Sequence, residues 1–525
     1  MSQQAMAWVA VGIYVAVTIA LTIRGALKTK DLKSFAVGSK DIPPVVVGLS
    51  LAAQLTSVAT FVVNPGLIYK YGVAGLLGFA FAAPMGVILG LVLFSKRFLS
   101  VGSRVAALTV PQWIGKRYES PMMQYLFAVI SLALIAFAVL IVVGLAYALG
   151  QALGIPAFLP GEAGTGTVYN PQFTWLIAVL VGFVFAYMMI GGVNTSAYTN
   201  ALQAIVMFVV ALILLGSGVH LFFSGEGFLT RLAAIDPNLV AVTNPASPYF
   251  RNLFEIFFCN FLVGIAIVCQ PHVVAKVLYL KDEGQVTSYL LTATLVGLVF
   301  SFLMIVGLYA RLTLPPIDRM DLVVPTYVAA TFSPIVQVVI MLGILCAGMS
   351  TLEGLLLSLS TIFSTDMFLP LLKRGKTELP PDAEADLGKQ ALFYGRLLLV
   401  VTALVIIWLS VGQVKNPVGG SVAIFGMYGV YFLFTTTFFP LAAGMFLPSM
   451  SRSAVFAGVI VSGLTYLGIA WFQVTAMHNN PAFLASMAIV MGWLATFAMH
   501  RASLAGTERE AEAVAEVPGV ETVSG

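Results

Sequence analysis

Apolar residues run along this chain in blocks of about 20, each long enough to cross a hydrocarbon core as a helix, with charged residues gathered between the blocks. Thirteen such segments are predicted, near 6–27, 43–70, 74–99, 122–150, 172–191, 197–223, 253–280, 287–313, 333–366, 390–411, 420–446, 453–474 and 482–500. The first run, Met6 to about Leu27, is long enough to span and has no basic residue before it, which predicts a retained helix rather than a cleaved leader. Residues 154–171 are rich in Pro and Gly and predict an external loop. The acidic tail after Thr507 lacks aromatics and is expected to be disordered. The expected organisation is one transmembrane domain over 1–506 and a cytoplasmic tail over 507–525.

Composition agrees with the pattern. The 525 residues are 60% hydrophobic and 9% charged, where a soluble domain carries about 25% charge; an all-α polytopic membrane protein follows. With the N-terminus outside, the inner loops and flanks carry twenty basic residues: Arg24, Lys28, Lys30, Lys33, Lys40, Lys96, Arg97, Arg104, Lys116, Arg117, Lys276, Lys281, Lys373, Arg374, Lys376, Lys389, Arg396, Arg452, Arg501 and Arg509. Six lie outside, namely Lys70, Arg231, Arg251, Arg311, Arg319 and Lys415, and the two sets account for all 26 Lys and Arg. This asymmetry places the C-terminus in the cytoplasm of a cell whose plasma (inner) membrane the chain crosses. Cys259, Cys269 and Cys346 fall within apolar segments and read as buried thiols, and no pair of the four histidines has metal-ligand spacing. No phosphate loop, paired His with Glu, or Ser–Lys dyad occurs, so the chain reads as neither an enzyme nor a cofactor carrier. Nothing suggests nucleic-acid binding or an obligate protein partner. The partners expected are the lipid bilayer, a small solute and an ion.

Three segments are too polar for passive anchors. Segment 9 holds CAGMSTLEGLLLSLSTIFSTDMF over 346–368. Its Ala347, Ser350 and Thr351 stand at i, i+3 and i+4 and share a helix face. Two hydroxyls and a carbonyl on one face suit a small hard cation. Glu353 follows at a depth where a charge costs about 2.5–3.5 kcal/mol. Asp366 is expected as a solvated or hydrogen-bonded cap at the inner mouth of the segment. Segment 2 places Gln54, Thr56, Ser57, Thr60 and Asn64 at span depth, ahead of Pro65-Gly66. Segment 7 does the same with Glu255, Asn260, Gln270, Pro271 and His272, of which His272 reads as structural. Interrupted polar helices five segments apart are the pattern of an inverted repeat with the ligand site between the halves, here about 43–223 and 253–446.

Six stretches in order resemble the sodium:solute symporter family, closest to its proline and pantothenate branch: FAVGS, NPGLIYKYG, ALTVPQWIGKRYES, GGVNTSAYTNALQ, CQPHVVAKVLYLKD and the segment 9 sequence. The resemblance runs from about Phe35 to Pro448 and implies a leucine-transporter-like five-plus-five inverted repeat with about 13 transmembrane helices. It also implies sodium-coupled import by alternating access, with Na+ as the coupling ion. Carried across by motif, the carbonyls of Ala53, Thr56 and Ala347 and the hydroxyls of Ser350 and Thr351 would bind sodium. Gln54, Ser57, Thr60 and Gln270 would contact solute, against segments 2, 4, 7 and 11.

Two departures from the family pattern concern a second ion. Asn200 stands where the family commonly has an aspartate, and Glu353 where relatives commonly have a small residue. Glu353, with Asn200, is therefore a candidate second-ion or proton site; the plainer reading puts Glu353 in a watery vestibule or against a basic residue. The aromatic gate of sugar-transporting members falls near Ala266 here, which points to a smaller or acyclic solute such as a monocarboxylate or an amino acid; Phe425 and Tyr428 are other aromatics that could serve. The alternative mechanism is proton coupling through Glu353 or Glu255.

Overall fold

The computed structural model describes residues 2–27, 31–38, 40–160, 167–223, 225–376 and 380–515. Lys28 and Lys30, counted above among the inner charges, lie outside the described residues, as do 516–525 of the tail.

The first span is α1 (Gln3–Ala26). A broken pair follows, in which α2 (Pro44–Leu55) and the run Ala59–Tyr71, ending in α3 (Asn64–Tyr71), meet at 49°. Next come α4 (Val73–Arg104), α5 (Pro121–Leu153) and α6 (Pro171–Ser217). The second broken pair joins Phe254–Ile267 to Pro271–Tyr279 at 58° and contains α7 (Asn260–Ile267) and α8 (Pro271–Val274). The remaining long helices are α9 (Val286–Phe302), α10 (Pro334–Ile362), α11 (Pro381–Lys415), α12 (Val422–Phe446), α13 (Arg452–Phe472) and α14 (Pro481–Ala515). In the expected external loop, Phe158–Pro160 and Thr167–Tyr169 pair as a short antiparallel ribbon with Phe158 opposite Tyr169. The last helix continues to Ala515, beyond the Thr507 boundary expected for the tail.

Ten helices among the described residues are long and apolar enough to cross, or up to twelve with each bent pair taken as one span, against thirteen from the pattern. The difference lies in α6. The expected segments 172–191 and 197–223 join in one helical run, Pro171–Phe222, of 52 residues. At 1.5 Å per residue that is about 78 Å, far more than a core of about 30 Å. The run is interrupted at Gly192, whose φ of 64° and ψ of −165° are open to glycine alone.

The two breaks have local causes. Gln270 precedes Pro271, and the proline ring drives its neighbour out of the helical region; Gln270 sits at φ −63°, ψ 137°. In the first pair, Thr56 leaves the helix at φ −101°, ψ 84°, and the Ala59 N–H restarts it by donating to Ser57 Oγ at 3.1 Å. Around these breaks, α10 is the central element, buried on every side from Gly343 to Leu357, as befits a helix surrounded by protein. Helices α5, α6 and α2 pack against it. The second broken pair lies against α4, where Gly86 meets Gly264 so closely that a Cβ on Gly86 would stand 2.1 Å from the Phe261 carbonyl. Small residues at such crossings let backbones approach in the absence of a hydrophobic drive.

Gly192→Ala would force an L side chain into that backbone geometry and push its Cβ to 2.9 Å from Phe35. A loss of about 1–3 kcal/mol, read as a lower unfolding midpoint of the detergent-solubilised protein, is expected.

Candidate ion and solute site

A helix leaves its last four carbonyls without intrahelical partners. In α2 these belong to Ala52, Ala53, Gln54 and Leu55, and the Thr56 N–H takes only that of Ala52, at 3.1 Å. Helix α10 supplies hydroxyls to the next two. Ser350 Oγ lies 3.0 Å from the Ala53 carbonyl and 3.0 Å from that of Ala347. Thr351 Oγ1 lies 3.2 Å from the Gln54 carbonyl and 3.1 Å from the Ala347 carbonyl. Both side chains are fully buried. Three carbonyls and two hydroxyls therefore converge at the negative end of a helix dipole, a donor set fitted to a hard cation.

Four of the five residues expected at the ion site are thus brought together, and the carbonyl of Gln54 joins them. Thr56 is not joined to Ser350 or Thr351 by any hydrogen bond among the described residues. It has already turned out of the helix and lines the adjacent cavity instead.

That cavity, about 200 Å³, lies between the two breaks. Thr56, Ser57, Thr60, Asn64, Asn260 and Gln270 give it a polar side, and Phe79, Phe137, Phe300, Met427 and Tyr431 an apolar one. Among the described residues, no charged one lines it. Segments 3 and 8 contribute to the wall in addition to the expected 2, 4, 7 and 11. Ser57, Thr60 and Gln270 are where the sequence placed them, whereas Gln54 turns away: its amide packs on Gly354, where a Cβ would stand 2.5 Å from Nε2. Tyr431 and Phe137 supply aromatic surface that reading around Ala266, Phe425 and Tyr428 missed.

Glu353 sits in no vestibule. It is 0% exposed and accepts from Tyr187 Oη (2.6 Å), Thr199 Oγ1 (2.7 Å) and Gln203 Nε2 (3.2 Å), all on α6. Gln203 also donates to Tyr14 Oη of α1 at 2.7 Å. No hydrogen bond joins Glu353 to Asn200 among the described residues; the Asn200 amide donates to Ser196 Oγ at 3.1 Å. The spacing of Thr199 and Gln203 at i and i+4 was the available signal for this cage, hidden inside the GGVNTSAYTNALQ stretch.

The remaining buried acids have settled structural partners. Glu255 is ion-paired with Arg251 at 2.6 Å and accepts from Asn480 at 3.1 Å. Asp366 is neither solvated nor a cap: it is fully buried and accepts from Thr109 (2.7 Å), Gln124 (2.7 Å) and Thr365 (2.9 Å). His272 is buried with its ring beside Phe137.

Two broken helices around an uncharged central cavity, with hard oxygens gathered at one break, define a multi-pass secondary transporter. The chain belongs to the sodium:solute symporter family, matched over residues 35–463. It is 28% identical over 381 residues to the sodium/pantothenate symporter of Haemophilus influenzae, covering 71% of this chain and 72% of that one. With the sodium/pantothenate symporter of Escherichia coli it shares 25% identity over 86% of its own length and 87% of the other's. A solved sodium-coupled sialic acid symporter superposes with a TM-score of 0.71 at 16% identity, over 94% of this chain and 97% of that one. The fold is therefore of the leucine-transporter type, as the motifs implied. The protein is a symporter coupling sodium to a small solute and not an enzyme.

Arg251→Met would leave the Glu255 carboxylate buried without its cation, at a cost of about 3 kcal/mol. A lower unfolding midpoint is expected, much of it regained in Arg251→Met/Glu255→Met.

Proposed function

We propose that this chain imports a small monocarboxylate or amino-acid-like solute, of the pantothenate or proline kind, together with sodium by alternating access. The observation that carries the reading is the convergence of the Ala53, Gln54 and Ala347 carbonyls on Ser350 and Thr351, beside an uncharged cavity. Sodium binds between α2 and α10 through the carbonyls of Ala53 and Ala347 and the hydroxyls of Ser350 and Thr351. Thr56 completes the shell when the first break tightens around the ion. Bridging the end of α2 to α10, the ion holds the broken helix against its neighbour and shapes the cavity wall at Ser57 and Thr60.

The solute lies in the cavity, its polar end toward Ser57, Thr60 and Gln270 and its apolar part against Phe137 and Tyr431. A carboxylate there needs no arginine, because the helix beginning at Ala59 presents its positive dipole end to the same place. The named pantothenate and proline symporters among the relatives support this solute class. One sodium entering down a potential of 100 mV contributes about 2.3 kcal/mol, enough for accumulation by several tens of fold. The bias of basic residues supports an outside N-terminus, a cytoplasmic C-terminus and residence in the plasma membrane, with residues 1–506 acting as one transport domain.

Uptake by proteoliposomes of labelled pantothenate, proline and short monocarboxylates, with sodium and pH gradients imposed separately, tests the reading. A sodium gradient is expected to drive uptake, and a proton gradient alone to leave it unchanged. Ser350→Ala and Thr351→Ala are each expected to raise the sodium concentration for half-maximal uptake by about tenfold, the effect of about 1.4 kcal/mol lost from one oxygen contact.

A further inference from the structure

Two buried ionisable groups of opposite sign stand near the sodium site proposed at Ser350 and Thr351. Glu353, caged by hydroxyls and an amide, is one. The other is Lys276, which the sequence places among the inner flank charges but which is 1% exposed, with its ammonium on Ser50 Oγ of α2. Neither group is in ion-pair contact with a group of opposite charge among the described residues. Their placement is nonetheless related. Ser50 stands one helical turn before Ala53 on α2, Glu353 stands one turn after Ser350 on α10, and Ala53 and Ser350 touch. Ser50, which holds the ammonium, and the Glu353 carboxylate thus each stand one turn from a single inter-helix contact. The other ionisable groups around Glu353 are Tyr14, Tyr187 and Cys346, none of which supplies a positive charge. His272, four residues before Lys276, is buried with its ring beside Phe137.

A carboxylate at this depth is stabilised by a positive charge or a proton beyond what neutral hydrogen bonds supply. The positive charge comes from a transported cation or from the protein itself. We propose that Lys276 is the fixed counter-charge of Glu353, so that the core is electroneutral without a second cation and the chain binds a single sodium. The proposal rests on sodium binding at Ser350 and Thr351. Asn200 fits it, being an uncharged amide held by Ser196. Lys276 is then a positioning residue: it acts on ion stoichiometry through Glu353 without touching sodium or solute.

Equilibrium binding of radioactive sodium alone to the purified full-length protein tests this. The wild type is expected to bind one sodium without cooperativity. Lys276→Gln leaves Glu353 uncompensated and is expected to bind a second sodium, with a steeper binding curve. Lys276→Arg keeps the charge and is expected to retain one site, and Lys276→Gln/Glu353→Gln removes both charges and is expected to return to one. Two sodium ions on the wild type would overturn the proposal, as would a folded Lys276→Gln protein with unchanged stoichiometry or a second site that persists in the double variant. Should Lys276→Gln fail to fold, recovery of the double variant at the wild-type level supports the pairing, and its equal failure refutes it. A wild type that binds no sodium would refute the site at Ser350 and Thr351 instead.

Discussion

A helix that ends inside a membrane leaves carbonyl oxygens where no water can reach them, and everything central to this protein is arranged around that constraint. The end of α2 is satisfied by Ser350 and Thr351, so α10 has to bring hydroxyls to the middle of its length. Hydroxyls that satisfy carbonyls in this way are also ligands that a cation can share. The same break opens the cavity, because the chain beyond Thr56 departs at 49° from its earlier course. One unmet backbone requirement therefore generates the proposed ion site, the proposed solute site and the contact between them.

Buried charge is handled in four distinct ways. Glu255 has a direct ion pair with Arg251 near a helix start. Asp366 has no cation in contact among the described residues and relies on Thr109, Gln124 and Thr365, the first two of which tie the C-terminal end of segment 9 to residues 109–124. Asp321, outside the two repeats' breaks, accepts from Ser421 and the Val422 N–H, where the start of α12 offers its positive dipole end. Glu353 combines a hydroxyl cage with a lysine at a distance, beside the proposed ion path.

Much of this was legible in the letters. Pro271 announced the second break through its effect on Gln270, and the i, i+3, i+4 spacing of Ala347, Ser350 and Thr351 announced a shared oxygen-bearing face. Six motifs in order pointed to the family. What the letters obscured followed from geometry between distant segments. Two apolar runs on either side of Gly192 read as separate helices, and the structure carries the helical run through a kink at Gly192 that hydropathy does not register. Lys276 read as a flank charge because a lysine at the end of an apolar run is ordinarily solvated, and nothing nearby in sequence signals Ser50.

Local chemistry therefore determined which segments cross, where two of them break and which residue types face the breaks, since those depend on hydrophobic length, proline sterics and helical periodicity. Only the tertiary structure decided that Thr351 meets the carbonyl of Gln54 rather than that of Thr56, that Glu353 is sealed by Tyr187, Thr199 and Gln203, and that Lys276 is drawn into the core. Those outcomes depend on how helices separated by 150 residues or more cross one another. The register of such a crossing is set by close packing of whole faces, which no local pattern of residues encodes.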